Sequence, residues 1–214
     1  MKRLFVLGVL ASGAMMVQAQ AIDDVYAGIG SGGLTLGLSK SLSPAMVARV
    51  DYTAGFNISK NGRREGVDYS GKLKQSSAGA YVDYFPFSNG FRLTGGLTLN
   101  NTKVQLNSRG GTATINGKPV NMSNQFFNVA VSQPDVTPYI GIGFGHKPAS
   151  GKGLGYHLDI GAQLGKFKTS VATNVVGVGG ITQADVDAEV AKVRDSVSKV
   201  KLWPVVSAGL DYRF

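Results

Sequence analysis

Few residues of this chain have the chemistry of a catalytic centre. His157 and Asp159 alternate along one segment and share a face, and Ser207 lies in a second segment of the same kind. Those types are the parts of a hydrolase triad, which needs nucleophile, base and orienting carboxylate within hydrogen-bond reach. The chain has only two histidines, and His146 falls at a turn. A structural polar network accounts for these groups more simply, and catalysis is not expected. Gly28-Ile29-Gly30-Ser31-Gly32-Gly33 matches G-x-G-x-x-G, and Asp51 follows about 20 residues on, as a nucleotide fingerprint requires. That fingerprint must open a helix, whereas Leu34, Leu36 and Leu38 alternate as a strand. Gly151-Lys152 has Gly153 where a phosphate loop needs Ser or Thr. Cysteine is absent, which removes thiol catalysis, disulfides and zinc–cysteine sites. Neither a cofactor nor a metal is expected.

The elements that carry these residues alternate with a period of two. From Met46 to Ile58 the even positions are apolar, and the odd ones include Arg49, Asp51, Thr53 and Asn57. Phe91–Asn100, Asp135–Phe144, Leu154–Gly165 and Leu202–Phe214 repeat the pattern. Period two means strands with one apolar face. Several exceed the usual 5–6 residues and reach the roughly 9–11 that a membrane strand needs. Glycine and small polar residues dominate the other face. A sandwich would put larger polar groups there; a small membrane barrel turns apolar side chains to lipid and packs small or polar ones in a narrow lumen. On this register Arg49, Asp51, Asp83, Arg92, His157, Asp159, Asp211 and Arg213 all project inward. Opposite charges there should pair, because unpaired buried charge is costly.

The fold expected is all-β: an eight-stranded antiparallel transmembrane β-barrel with a short amphipathic helix before the last strand. Its strands are Asp24–Gly30, Gly33–Leu42, Ala45–Lys60, Val67–Phe87, Phe91–Leu106, Asp135–His146, Leu154–Phe167 and Lys201–Phe214. Asp24–Leu42 also reads as a single kinked strand. In Val67–Phe87 the apolar positions change parity, which predicts a bulge near Gln75-Ser76-Ser77. Long loops are expected at Ser59–Gly66, Asn107–Pro134 and Lys168–Val200. The second contains an Asn116-Gly117 hairpin signal. In the third, Thr182-Gln183-Ala184-Asp185 resembles a capping box, followed by Val186, Val190, Val193 and Val197 at helical spacing. That helix packs on the barrel rim or serves as a lid, and its side of the membrane is open.

Residues 1–21 read as a secretory signal peptide: Lys2 and Arg3, then an apolar run from Leu4 to Met16, then a cleavage site after Ala19 or Ala21. Residues 22–214 form one barrel domain. No later run of about 18 apolar residues would make a spanning helix. Glycine, 30 of 214 residues, is about twice its usual share. The barrel explains the excess, since glycine relieves crowding and permits bending. The formal charge of +9 falls to +7 without Lys2 and Arg3. Lys60, Arg63, Arg64, Lys72 and Lys74 carry part of it, where it suits anionic lipopolysaccharide or bare solvent. Nucleic acid is not an expected partner.

The C-terminal run Val205–Phe214 resembles the terminal assembly signal of Gram-negative outer-membrane barrels, with Ala208, Leu210, Tyr212 and Phe214 at the matching positions. Asp83–Phe87, Phe91–Gly96 and Pro138–Gly143 look like the proteobacterial small barrels of the OmpA/OmpW-like type, without a peptidoglycan-binding domain. The resemblance implies multi-pass insertion in the outer membrane, delivery by periplasmic chaperones, and recognition by the barrel-assembly machinery. Outer-membrane lipid and lipopolysaccharide are the expected partners, and a monomer the expected state. A non-enzymatic structural or surface-interaction role is expected. The alternatives are a narrow, porin-like channel for small or hydrophobic solutes, and a lipid-modifying enzyme using His157.

Overall fold

The computed structural model describes residues 22–64, 66–87, 89–146 and 151–214. The expected signal peptide lies outside them. Within them the chain is mostly antiparallel β-sheet with one helix. The strands are β1 Asp24–Gly30, β2 Gly33–Ser43, β3 Met46–Arg64, β4 Val67–Tyr84, β5 Phe91–Asn100, β6 Lys103–Ile115, β7 Lys118–Asn121, β8 Phe127–Ser132, β9 Val136–Phe144, β10 Gly153–Leu164, β11 Lys168–Thr173 and β12 Leu202–Arg213. The helix, α1, is Gln183–Ser198. No helix among the described residues is long and apolar enough to cross a membrane.

Hydrogen-bonded neighbours can be followed from β4 through β3, β2, β1, β12, β10, β9 and β5, and β5 pairs with β4 again. Every one of these pairings is antiparallel. Asp24–Leu42 is two strands: Gly30 pairs with Gly33 across the turn Ser31-Gly32.

Twelve strands stand among the described residues where eight were expected, because β6, β8 and β11 continue three of the expected strands beyond a break and β7 is the return arm of a hairpin with β6. β5 stops at Asn100, and β6 carries on along β4, with Ser77↔Asn100 followed by Lys74↔Lys103. β8 likewise leads into β9, and β10 into β11, each across a few unpaired residues. At the first break the Asn100 side-chain amide donates to Pro134 O and Thr137 Oγ1, so backbone polarity lost from the ladder is partly replaced. Beyond the breaks, β3, β4, β6, β8 and β11 form an open extension of the sheet. Asn107–Pro134 is therefore mainly strand, not loop, and Lys168–Val200 opens with β11.

The irregularity expected in β4 lies in its partner. Ala54 pairs with Ser76 and Asn57 with Lys74, so Gly55 and Phe56 of β3 face Gln75 alone. β4 keeps its pleat. What changes along it is the chemistry of each face: Tyr84, Val82 and Ala80 are exposed on the same side as Lys74 and Lys72.

The two faces of the sheet have opposite character. Val50, Leu97, Ile140, Ile160, Val206 and Leu210 are all at least half exposed, and so are Leu36 and Leu158. Arg49, Asp83, Arg92, His157 and Asp159, on the other face, are buried. Among the described residues a conventional apolar core is found in the extension, where Ile115, Val120, Met122, Val175, Ile181 and Val186 cluster. The Asn116-Gly117 turn, with φ of 48° and 82°, closes the β6–β7 hairpin there. α1 packs on this hairpin through Val186 and Val190.

Candidate functional site

The enclosed face is built in tiers. Asp83, on β4, is fully buried and accepts from Arg49 Nε at 2.5 Å, Arg49 Nη2 at 3.1 Å, Arg92 Nη1 at 3.1 Å and Thr94 Oγ1 at 2.7 Å. Asp159, on β10, lies 2.8 Å from Arg92 Nη2 and 3.7 Å from Arg49 Nη2. Two guanidiniums and two carboxylates from four strands thus neutralise one another across the interior. Asp51 accepts from Tyr26 Oη at 3.1 Å. The Arg49 guanidinium sits over Tyr26 and Tyr81 at 5.7 Å and 5.3 Å from their ring centres, within cation–π range.

A second tier lies nearer the chain termini. His157 Nδ1 is 3.7 Å from Asp211 Oδ1, and His146 Nδ1 is 4.0 Å from Asp24 Oδ1. The two imidazoles stack with centres 4.3 Å apart. Arg213 Nη2 lies 3.8 Å from Asp24. At the opposite end Thr98 and Thr137 share a hydrogen bond of 2.7 Å, Thr35 and Thr53 one of 2.9 Å, and Gln133 donates to Gln163.

Glycine provides the room. A Cβ on Gly37 would fall 2.2 Å from Tyr26, on Gly79 2.0 Å from Tyr81, on Gly161 2.3 Å from Tyr139, and on Gly143 2.8 Å from Arg92. Each large inward side chain lies against a residue without one. The space that remains is a cavity of about 60 Å³ between Tyr26, Arg49, Asp51, Tyr139, His157 and Gln163.

All eight inward residues read from the alternation lie on this face. They do not make one site: Arg49, Asp83, Arg92 and Asp159 form the inner cluster, His157, Asp211 and Arg213 the terminal tier, and Asp51 belongs with Tyr26. The triad considered for His157, Asp159 and Ser207 is not assembled. Asp159 is engaged by guanidiniums, and the carboxylate nearest His157 Nδ1 is Asp211. The glycine motif at Gly28–Gly33 is followed by β2, so the helix of a nucleotide fold is missing at that place. Ala208, Leu210, Tyr212 and Phe214 are all exposed on the outward face. Sequence reasoning missed Asp24, Tyr26, Tyr81, Tyr139 and Thr94, and it left His146 at a turn. His146 lies two residues beyond β9, with its ring folded back inside and 1% exposed.

No protein-family model matches the chain, and no curated protein does. Two solved structures share its fold. Acinetobacter baumannii CarO is 19% identical, with a TM-score of 0.60. CarO2 of the same organism is 21% identical, with a TM-score of 0.61. Each likeness covers 91% of this chain and 99% of the other.

Proposed function

We propose that the chain is an integral outer-membrane protein of a Gram-negative bacterium. Its eight mutually paired strands close into a transmembrane barrel, related to the OmpA/OmpW-like small barrels. Its role is structural or in surface interaction, without enzymatic activity. One observation carries this reading: apolar side chains face out while ion pairs fill the interior, the reverse of a water-soluble β-protein. Aromatic residues lie where one membrane interface would be. Phe144 with Tyr156, Tyr212 with Phe214, and Phe87 with Phe91 pack together on the outside near the termini.

With both termini periplasmic, the extension and α1 stand on the outer surface. Lys74, Lys103 and Lys168 are exposed there; Lys74 pairs with Lys103, Lys103 with Ser132, and Ser132 with Lys168. A cationic row just beyond an apolar band suits the phosphates of lipopolysaccharide. The interior cluster speaks for a plugged lumen over an open pore, since fully buried Arg92 and Asp83 bridge neighbouring strands.

Membrane fractionation and heat-dependent gel migration test the placement. Recovery in the outer membrane with heat-modifiable migration is expected; a soluble periplasmic protein would overturn it. Single-channel recording of the refolded protein tests the role. Sustained unitary conductance would replace the structural reading with passage of small solutes.

A further inference from the structure

The tier near the termini has the composition of a metal site. His146, His157 and Asp211 are all buried, and their donor atoms lie within 4.8 Å of one another. They come from separate segments: Asp211 from β12, His157 from β10, and His146 from two residues beyond β9. We propose that these three residues bind one divalent transition-metal ion, of which zinc is the reference.

Four observations on the geometry converge. Neither ring nitrogen of His146 has a hydrogen-bond partner, and the same is true of His157 Nδ1 and Asp211 Oδ1. Buried polar atoms left that way are costly, and a cation engages them together. Second, the ligand set is right. Two imidazoles and a carboxylate suit zinc or its neighbours, whereas magnesium and calcium prefer an all-oxygen shell. Third, the enclosed carboxylates (Asp24, Asp51, Asp83, Asp159 and Asp211) outnumber the guanidiniums (Arg49, Arg92 and Arg213). Two negative charges are left over, the charge that one divalent ion supplies. Arg49 and Arg92 face the site but are already engaged by Asp83 and Asp159, and Arg213 lies beside Asp24. Fourth, there is an entrance. A surface pocket of about 340 Å³, lined by Phe144, Leu154 and Tyr156, reaches His146 and Asp211.

The surroundings are arranged for these side chains. A Cβ on Gly209 would lie 2.6 Å from His157 Nε2, and one on Gly155 2.3 Å from Asp211 Oδ2. His146 holds φ at 50°, a left-handed conformation that few non-glycine residues adopt, and this turns its ring inward. Asp24, 4.0 Å from His146 Nδ1, is placed as the outer carboxylate that commonly orients a ligating histidine. Zinc–nitrogen bonds are about 2.0–2.1 Å, so the donors must draw in by roughly 1 Å on loading. Three protein ligands leave a fourth position open toward the pocket.

The test uses the untagged protein in detergent, stripped with chelator and shown to be folded by heat-modifiable migration. Titration with zinc alone should show one ion per chain. His146→Gln and His157→Gln should each weaken binding by more than ~10-fold, since even outer-shell changes reach that size. Thr53→Ser should leave it unchanged. The chain has two histidines, so imidazole coordination can come from no other residues. Copper(II) loaded in place of zinc should therefore show nitrogen coupling in its electron-spin spectrum. Absence of stoichiometric binding, or of nitrogen coupling, in the unmodified protein overturns the proposal even if the glutamine variants fail to fold. Undiminished affinity in folded glutamine variants overturns it as well, and would mean that the two surplus charges are neutralised by protons.

Discussion

Replacing Asp83 by Ala removes the acceptor of four hydrogen bonds at a position with no solvent exposure. Arg49 and Arg92 would then share Asp159 alone, at 3.7 Å and 2.8 Å. Within that cluster two guanidiniums then face one carboxylate. Removing one partner of a buried pair costs about 3–5 kcal/mol, and Asp83→Ala should fall in that range. Adding Arg92→Met removes the surplus charge and leaves Arg49 facing Asp159. The double variant should therefore be more stable than Asp83→Ala alone, with a coupling energy toward the upper end of about 0.5–3 kcal/mol. Equilibrium unfolding in urea, with the protein in lipid vesicles, measures both quantities. Trp203, the single tryptophan, packs with Phe167 at 5.7 Å between ring centres and reports the transition. A cost below about 1 kcal/mol, or strictly additive single changes, would mean that water reaches the cluster. The account of a plugged interior would then be wrong.

Val50 is 52% exposed, midway between the start of β3 and its bulge at Gly55-Phe56, on the proposed lipid face. Val50→Arg should cost roughly 2–4 kcal/mol in vesicles, whereas Thr53→Ser, facing inward, should cost little; equal tolerance would reverse the assignment of faces. Asp185 caps α1 through Thr182 and accepts from Lys118 at 2.6 Å and Asn116 at 2.9 Å. The Lys118 and Asn116 hydrogen bonds, with those from Thr182, hold its carboxyl well below the usual carboxylate range. A folded-state value below the unfolded one gives stabilisation that is present above about pH 4 and is lost only as pH falls through the folded value. Protection of the α1 amides from hydrogen exchange, taken relative to the intrinsic rate at each pH, should thus hold at pH 4 and fall in more acid solution. Asp185→Asn should speed exchange already at neutral pH, and unchanged exchange in that variant would show that the cap does not hold the helix.

How much was legible depended on where pattern and chemistry agree. From Met46 to Phe56 a strict period of two, with lipid-type residues on one side, left little freedom of register. Arg49, Asp51, Asp83 and Arg92 therefore came out on the enclosed face. The Asn116-Gly117 turn and the Thr182–Asp185 cap were readable because each is a local device whose residues make the bond themselves. The level at which strands break was not. Asn101-Thr102 are ordinary polar residues, and although Pro134 between Gln133 and Asp135 lacks an amide for the ladder, where each strand stops depends on which neighbour it finds, a nonlocal matter. The slip in β4 was seen at the right height but assigned to the wrong strand, because a bulge in β3 shifts the pairing of both. His146 was missed for a related reason. Its place in the interior rests on a left-handed backbone angle, which has no counterpart in hydrophobic periodicity.

The pairing of β1 with β12 also governs the order of events in the life of the chain. Asp24 meets Arg213, so the first strand finds its second neighbour only after nearly every residue has been synthesised. Until then β1 and β10 each present an open row of amides and carbonyls flanked by Ile29, Leu158 and Ile160, a template for pairing with the wrong chain. The closing contact spans the longest loop in the molecule and cannot nucleate folding. A shortened chain lacking β12 would lose more than one strand in twelve: it would keep two sticky margins and no means of sealing them. On the proposed outer-membrane reading, custody of the unfinished polypeptide on its way to the membrane follows from the connectivity itself.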